Sequence, residues 1–246
     1  MKVMTFNVLC AGKGENHWCR RQRLVRDIIK RYNPDTFGLQ EAHYGWMKYI
    51  CNAFKDTYSF VGVGKDDGGI SGEFSPVFYK KDKYELVDKG DFWLSETPQI
   101  AGLGWDAVEN RTCSYAVLKD RLTGEIKVHF NTHLDHVGKK AMLEGAKLII
   151  KKTEQFNDIP VIVTGDFNVT PDSDVYSLFL SSGFCDARSV AEYSDDVDSF
   201  HWYGKSSKMI DFIFIKNISD VKSLRTATDK IEDKLPSDHY PVVAEF

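Results

Sequence analysis

Short apolar runs dominate the chain, and several of them stop abruptly on a polar side chain. Lys2–Leu9 (KVMTFNVL) is β-branched and apolar without a breaker and predicts a strand. Leu24, Val25, Ile28 and Ile29 recur at helical spacing on a basic background, and Asn33-Pro34 ends that helix. Thr36–Gln40 predicts a short strand, and Trp46, Tyr49, Ile50 and Phe54 a second helix. Strand-like runs follow at Tyr58–Val63, Pro76–Tyr79, Tyr84–Val87, Ser114–Leu118 and Glu125–Asn131. The last two are joined by the polar, glycine-ended stretch Lys119–Gly124, which fits a hairpin. Ala141–Phe156 carries the clearest helical pattern, and Ile159–Thr164, Met209–Ile215 and Val242–Phe246 complete the strands. No repeat, heptad run or low-complexity segment interrupts this order.

The order is mostly β with interspersed helices and long antiparallel stretches, which predicts two packed sheets with helices outside. A doubly wound parallel fold would need stricter β–α alternation than the middle of the chain provides. A length of 246 residues suits one domain spanning 1–246. Composition adds exclusions. A net charge of −4 with mixed signs predicts no general attraction to polyanions and weakens the case for a tight duplex-DNA binder. Five scattered cysteines without a C-x-x-C pair argue against a disulfide framework or a thiolate zinc site. No apolar run approaches membrane-spanning length and no signal-peptide pattern leads the sequence, so the default expectation is a soluble, cytoplasmic protein with no obligate protein partner.

The polar strand ends carry the chemistry. MTFN ends at Asn7, TFGLQE at Glu41, VHFNTH at His133 and VIVTGDFN at Asp166 and Asn168, while PSDH places Asp238 and His239 before the last strand. If those strands neighbour one another, the side chains gather along one sheet edge. Carboxylate and carboxamide oxygens suit Mg²⁺ or Mn²⁺ more than zinc. Adjacent histidines can stabilise charge on a phosphoryl oxygen, and a carboxylate can orient or deprotonate a water. Hydrolysis of a phosphate ester needs little else.

LQE (Leu39–Glu41), NTHLD (Asn131–Asp135), GDFN (Gly165–Asn168), IDFIF (Ile210–Phe214) and SDHYPV (Ser237–Val242) occur in an order that resembles the endonuclease/exonuclease/phosphatase superfamily. That resemblance covers nearly the whole chain. It implies a DNase I-like α+β fold, a four-layer α/β/β/α sandwich, and an Mg²⁺- or Mn²⁺-dependent phosphoesterase. It further implies that Glu41 is the principal metal ligand, with Asn7 beside it and Asp238 near the metal. Asp166 would activate the water, and Asn168 would hold the water or phosphate. His133 and His239 would contact the scissile phosphate, and Asp211 would orient His239. Glu73 would be the acidic partner of His133, and Arg111 a phosphate contact.

Bland alternatives stand beside each role. Glu41 could be a helix N-terminal carboxylate, and Asn7 a turn residue. Asp211 lies inside the apolar run MIDFIFI, and a buried carboxylate needs a partner, which favours the histidine-orienting role. His17, His43, His129 and His201 lack comparable context. Asn131–His136 is one substitution from the zinc signature H-x-H-x-D-H, but that fold would leave LQE, GDFN and SDHYPV unexplained. GVGKDDGGISGE has neither Walker A spacing nor a strand–GxGxxG–helix context and reads as a mobile loop beside the site.

GEFSPVFYKKDKYELVD and FWLSETP resemble the branch containing deadenylases, nocturnin and uncharacterised bacterial hydrolases. Leu9 departs from the acidic residue of abasic-site endonucleases, which argues against duplex-DNA repair. The leading expectation is a single-stranded nucleic acid or nucleotide-like phosphodiester, with Phe92, Trp93 and Trp105 available to stack a base. A phosphatase or lipid phosphodiesterase is the alternative, and a non-catalytic binding module a remote third.

Overall fold

The computed structural model describes residues 1–246. In chain order the first half comprises β1 (Lys2–Asn7), α1 (Trp18–Tyr32), β2 (Thr36–Gln40), β3 (Ala42–His43), α2 (Tyr44–Ala53), β4 (Tyr58–Val61), β5 (Glu73–Phe74), β6 (Val77–Lys80), β7 (Tyr84–Trp93) and β8 (Thr112–Asp120). The second half comprises β9 (Ile126–His133), α3 (Lys139–Thr153), β10 (Val161–Asp166), α4 (Asp174–Ser181), β11 (Cys185–Asp186), α5 (Ala187–Val190), β12 (Tyr193–Ser194), β13 (Asp211–Lys216), β14 (Ser223–Thr226) and β15 (Val242–Glu245). One sheet runs β12-β14-β15-β1-β2-β6-β4 and a second runs β11-β13-β10-β9-β8-β7. The small pair β3-β5 stands apart from both. No helix is long and apolar enough to cross a membrane.

Period-two alternation explains how these strands stack into four layers. In β1, Met4 and Phe6 join Leu24, Val25, Ile28, Trp46 and Ile50 of α1 and α2 in one core. Val3, between them in sequence, instead packs with Ile162, Ile213 and Val242. In β10, Val161 and Val163 pack with Ile149 of α3 and Phe179 of α4, while Ile162 joins Val3. The two sheets therefore meet face to face, and each carries helices on its outer side: an α/β/β/α sandwich, as the sequence pattern implied.

Near one end the layer between the sheets turns polar. Asn131 accepts from Gln40 (2.7 Å) and Thr164 (2.9 Å) through Oδ1 and donates to the carbonyls of Leu39 (2.8 Å) and Pro76 (3.0 Å). His129 bridges Thr36 and Thr164 at 2.8 Å each. Gly38 makes room for this network, since a Cβ there would fall 2.0 Å from Asn131 Oδ1. Directional bonds in this buried network, in which only Gln40 Oε1 is left without a partner, fix the register of one sheet on the other, where apolar side chains would allow sliding.

Several boundaries differ from the sequence reading. Val8 and Leu9 leave β1, and Leu9 takes a left-handed backbone (φ 55°). β7 continues past Val87 to Trp93 through a register shift between Leu86 and Asp88, which breaks the alternation that would have betrayed it. α3 ends at Thr153 and a 3₁₀ turn carries the chain to Phe156. α1 ends where expected: Asn33 adopts φ 46° and donates its amide to the Ile29 carbonyl.

Candidate active site

The same alternation delivers the site. Asn7 lies on the face of β1 shared by Val3 and Thr5, and Asp166 on the face of β10 shared by Ile162 and Thr164, both between the sheets. β1 runs parallel to β2, and β9 parallel to β10, so Asn7, Gln40-Glu41, His133 and Asp166 emerge at the C-terminal ends of the two parallel pairs. β13 enters antiparallel with Asp211 directly opposite Asp166. Asp166 thus sits at the junction of both sheets.

Its bonds show how tightly it is held. Asn7 Nδ2 donates to Asp166 Oδ2 and to Glu41 Oε1, each at 2.9 Å, while Asn7 Oδ1 accepts from the Leu9 amide at 3.0 Å. Asn7 therefore bridges two carboxylates and turns its oxygen away from them. This places Asn7 directly beside Glu41, the expected metal ligand, and fixes the orientation of both carboxylates. Asp166 Oδ1 accepts from the Asn168 amide at 3.0 Å, and Oδ2 stands 3.5 Å from His133 Nε2 and 3.7 Å from His239 Nε2. Glu41 and Asn168 adopt left-handed backbones (φ 59° and 53°), a conformation uncommon for Glu and easier for Asn.

Asp211 meets His239 as expected: its Oδ2 lies 2.8 Å from His239 Nδ1 and accepts from Ser199 Oγ at 2.6 Å. Burial pushes the His239 imidazole down, but the charge and hydrogen bond of Asp211, with Asp166 and Asp238 behind, outweigh it and hold its pKa up at about 10. It is an imidazolium with Nε2–H free to donate. Burial and the charge of Asp211 push Asp166 up to about 7, against the pull of His239 and the Asn7 bond. His133 behaves oppositely. Burial, then Arg111 and His239, drive it well below the ordinary imidazole value, so it is neutral. Asn168 Nδ2 lies 3.0 Å from His133 Nε2 and also donates to the Leu134 carbonyl, so Nε2 is the acceptor and Nδ1 carries the proton. That Nδ1 is buried without a partner, as is Arg111 Nε.

These groups surround a cavity of about 390 Å³ whose 14 lining residues include only three apolar ones. Glu41, Glu73, Arg111, His133, Asp166, Asn168, Asp238 and His239 all line it. Glu73 is placed in the cavity but pairs with Lys65 (2.9 Å), which also bonds Glu109 (2.6 Å); it is not the partner of His133. Phe92 and Trp93 are 4% and 8% exposed and belong to the interior, so neither offers the stacking surface anticipated for them. Lys65, Glu109, His136, Cys10 and Lys208 line the cavity or its rim unannounced by any strand-end pattern. Asp135, next to His136, accepts from the amides of Val108, Val137 and Gly138 and organises the loop.

Two clusters could hold a cation. Asp166, Asp211 and His239 present ligand atoms within 4.8 Å of one another, but all three are buried and the imidazolium already compensates the carboxylates. The other comprises Cys10, Glu41 and Glu73, likewise within 4.8 Å of one another, and Asp238 faces the same open cavity as Glu41, so that Glu41 and Asp238 both offer it hard oxygen donors. Asp238 is raised by burial and by the charge of Glu41, against the pull of His239, an excess of negative charge that a divalent cation relieves. This second pair fits Mg²⁺ or Mn²⁺ better.

Arg21 fastens the loops behind this pair. It is 1% exposed and donates to the carbonyls of Val8 (2.6 Å), Leu9 (2.6 Å), Asn16 (2.6 Å) and Pro236 (2.9 Å). Val8-Leu9 follow Asn7, and Pro236 precedes Asp238, so one guanidinium spans both segments. Arg21→Met leaves four carbonyls without that partner and is expected to cost about 3 kcal/mol or more in denaturant unfolding, given the usual strength of hydrogen bonds to charged groups. An unchanged unfolding midpoint would show that the segments hold themselves.

The sequence pattern described as the Endonuclease/Exonuclease/phosphatase family matches residues 4–239. Nocturnin of Xenopus laevis is 25% identical over 98% of this chain and 69% of its own length. The chain spans only 42% and 44% of two Arabidopsis thaliana relatives, the carbon catabolite repressor protein 4 homologs 3 and 5. Among solved structures, an endonuclease/exonuclease/phosphatase from Bacteroides vulgatus superimposes with a TM-score of 0.93 at 37% identity, covering 99% of this chain and 97% of that one. The mannosyl-6-phosphatase Bt3783 of Bacteroides thetaiotaomicron superimposes with a TM-score of 0.92 at 35% identity, covering 100% and 98%.

Proposed function

The chain belongs to the endonuclease/exonuclease/phosphatase family, hydrolases of phosphate esters, and from that premise we propose that it is a divalent-metal-dependent phosphatase acting on a small sugar phosphate. The observation that carries this reading is the cavity itself. Arg111, whose Nε stands 3.8 Å from Asp135 Oδ2, and the neutral His133 line a small polar space together with the His239 imidazolium. A terminal phosphate has the exposed oxygens to satisfy them. Glu73 and Glu109 hold Lys65 between them, so this wall offers no free cation to the next phosphate of a nucleic-acid strand, while its carboxylate oxygens can accept sugar hydroxyls. That turns the preference from the phosphodiester expected of the sequence to the phosphatase alternative, and the likeness to a mannosyl-6-phosphatase supports it.

The roles follow from the geometry. Asp166 accepts the proton of the attacking water, held in place by Asn7 and the Asn168 amide. His133 and Arg111 donate to the phosphoryl oxygens, and His239 Nε2–H supplies positive charge where negative charge builds. Asp211 and Ser199 fix the ring of His239. A divalent cation at Glu41 and Asp238 supplies Lewis-acid stabilisation when bound.

Product analysis tests the reading. With Mg²⁺, the expected outcome is free phosphate from mannose 6-phosphate at a far higher kcat/KM than cleavage of a short single-stranded RNA. Efficient RNA cleavage with no phosphate from the sugar would restore the nuclease reading.

A further inference from the structure

A second depression of about 580 Å³ opens off the catalytic cavity and shares Cys10 and Glu73 with it. One side is aromatic. The Trp18 ring meets His43 edge-on at 4.6 Å and lies 6.0 Å from the fully buried Trp46, which fixes it in place. Gly45 permits that arrangement, since a Cβ there would fall 2.6 Å from the Trp18 ring and 2.7 Å from His43. Tyr44 extends the aromatic side and is 49% exposed.

The polar groups of the groove are equally specific. His17 and His43 each accept a helix amide at Nδ1, from Cys19 (3.4 Å) and Gly45 (2.9 Å), capping α1 and α2. In the neutral ring the proton therefore sits on Nε2, leaving each histidine one N–H to donate. Lys65 is the one lysine or arginine in the lining, and it is held between Glu73 and Glu109. With Asp66 also present, the groove carries no spare positive charge and is a poor place for a second phosphate. An aromatic face, edge donors and carboxylate acceptors without net positive charge suit a neutral pyranose ring, whose C–H face stacks while its hydroxyls bond at the rim.

We propose that this groove is a second sugar subsite. The phosphorylated residue occupies the catalytic cavity, the next residue of the same glycan lies against Trp18, and the preferred substrate is a phosphorylated oligosaccharide in place of a free sugar phosphate. The proposal rests on the phosphatase reading of the neighbouring cavity. It also gives the glycine-rich stretch around Lys65 a role: its backbone is pinned by the Asp67 carboxylate accepting from the Gly69 and Ser71 amides, so it forms a wall of the groove.

The test compares 6-phosphomannobiose with mannose 6-phosphate and AMP as substrates of wild type, Trp18→Ala and Tyr44→Ala, with calorimetric titration of unphosphorylated mannotriose alongside. Tyr44 is exposed, so its variant cannot fail merely by unfolding. Wild type is expected to favour the disaccharide by about tenfold in kcat/KM, roughly one stacked ring. Both variants should reduce that preference while turnover of mannose 6-phosphate stays largely unchanged, and both should weaken mannotriose binding. Equal efficiency on the two substrates, or variants that depress both alike, overturns the subsite. A preference for AMP that Trp18→Ala removes assigns the ring to a base and also overturns it. If neither sugar phosphate releases phosphate, the phosphatase reading has failed. Mannotriose binding that depends on Trp18 would then still uphold the groove, and its absence would dismiss it.

Discussion

The Asp166→Asn variant is expected to lose about a thousandfold in kcat, the usual weight of a positioned general base. The substitution keeps the size of the side chain and one oxygen for the Asn168 amide, so the cavity keeps its shape. What disappears is the group able to take a proton from water. The pH profile separates this from mere damage. Because burial and Asp211 raise Asp166 to about 7, the wild-type rate should climb with pH through that value as the carboxylate ionises. It should fall again only as the His239 imidazolium is lost at about 10. The residual rate of the variant should lack the acid limb. Stability carries the same signature. The unfolded Asp166 titrates at about 3.9, so between there and its raised folded value the native state binds the extra proton and wild type weakens as pH rises. Denaturant unfolding at pH 5 and pH 8 should therefore shift the comparison in favour of the variant at the higher pH. His239 adds a second slope that fades only above the ordinary imidazole range, and it is smaller in the variant because Asp166 is one of the charges that raise its folded pKa. A variant with near-wild-type turnover would remove Asp166 from the chemistry.

Glu41→Gln comes second in expected effect. The carboxylate is anchored by Asn7 Nδ2 at one oxygen and by the Cys10 amide (2.9 Å) at the other, and the strained backbone at Glu41 aims it into the cavity. Gln retains the carbonyl for Asn7 but loses the charge a hard cation needs. At fixed Mg²⁺ the rate should fall about a hundredfold, comparable to losing one preorganised electrostatic contact. Saturation should move to higher Mg²⁺, and Mn²⁺ binding followed by electron paramagnetic resonance should weaken in parallel. Unchanged Mn²⁺ affinity would move the cation away from Glu41, with the buried Asp166–Asp211–His239 cluster the place to look next.

How much of this was legible in the residues varies from element to element. The central strands were readable because both faces are covered, giving runs such as VIVTGD whose inner and outer positions alternate between two cores. Asn7, His133 and Asp166 follow from that register alone. Glu41 sits one residue beyond β2, and Asp211 shows itself as a carboxylate inside an apolar run. α4 escaped notice although Ser173 caps it, because its eight residues barely complete two turns of pattern. β14, with SLRT, is too short and polar to read as a strand, and pairing with β15 makes it one. Glu73 was placed in the right region but given the wrong partner, and the two carboxylates that Asn7 bridges were not foreseen. Which oxygen faces which donor depends on rotamers that only the folded neighbours Leu9 and Lys65 decide. Arg21, Ser199 and Lys65 left no local trace. Each acts through contacts with segments distant in sequence, which periodicity cannot encode.

The most direct measurement is hydrolysis of mannose 6-phosphate in ¹⁸O-labelled water with Mg²⁺ present, reading the label by mass spectrometry. Attack of an Asp166-activated water on phosphorus breaks the P–O bond and predicts free phosphate carrying one solvent oxygen and mannose carrying none at its C6 hydroxyl, the freely exchanging anomeric oxygen being left out of the count. Label in the sugar hydroxyl, or no phosphate released at all, would contradict the account.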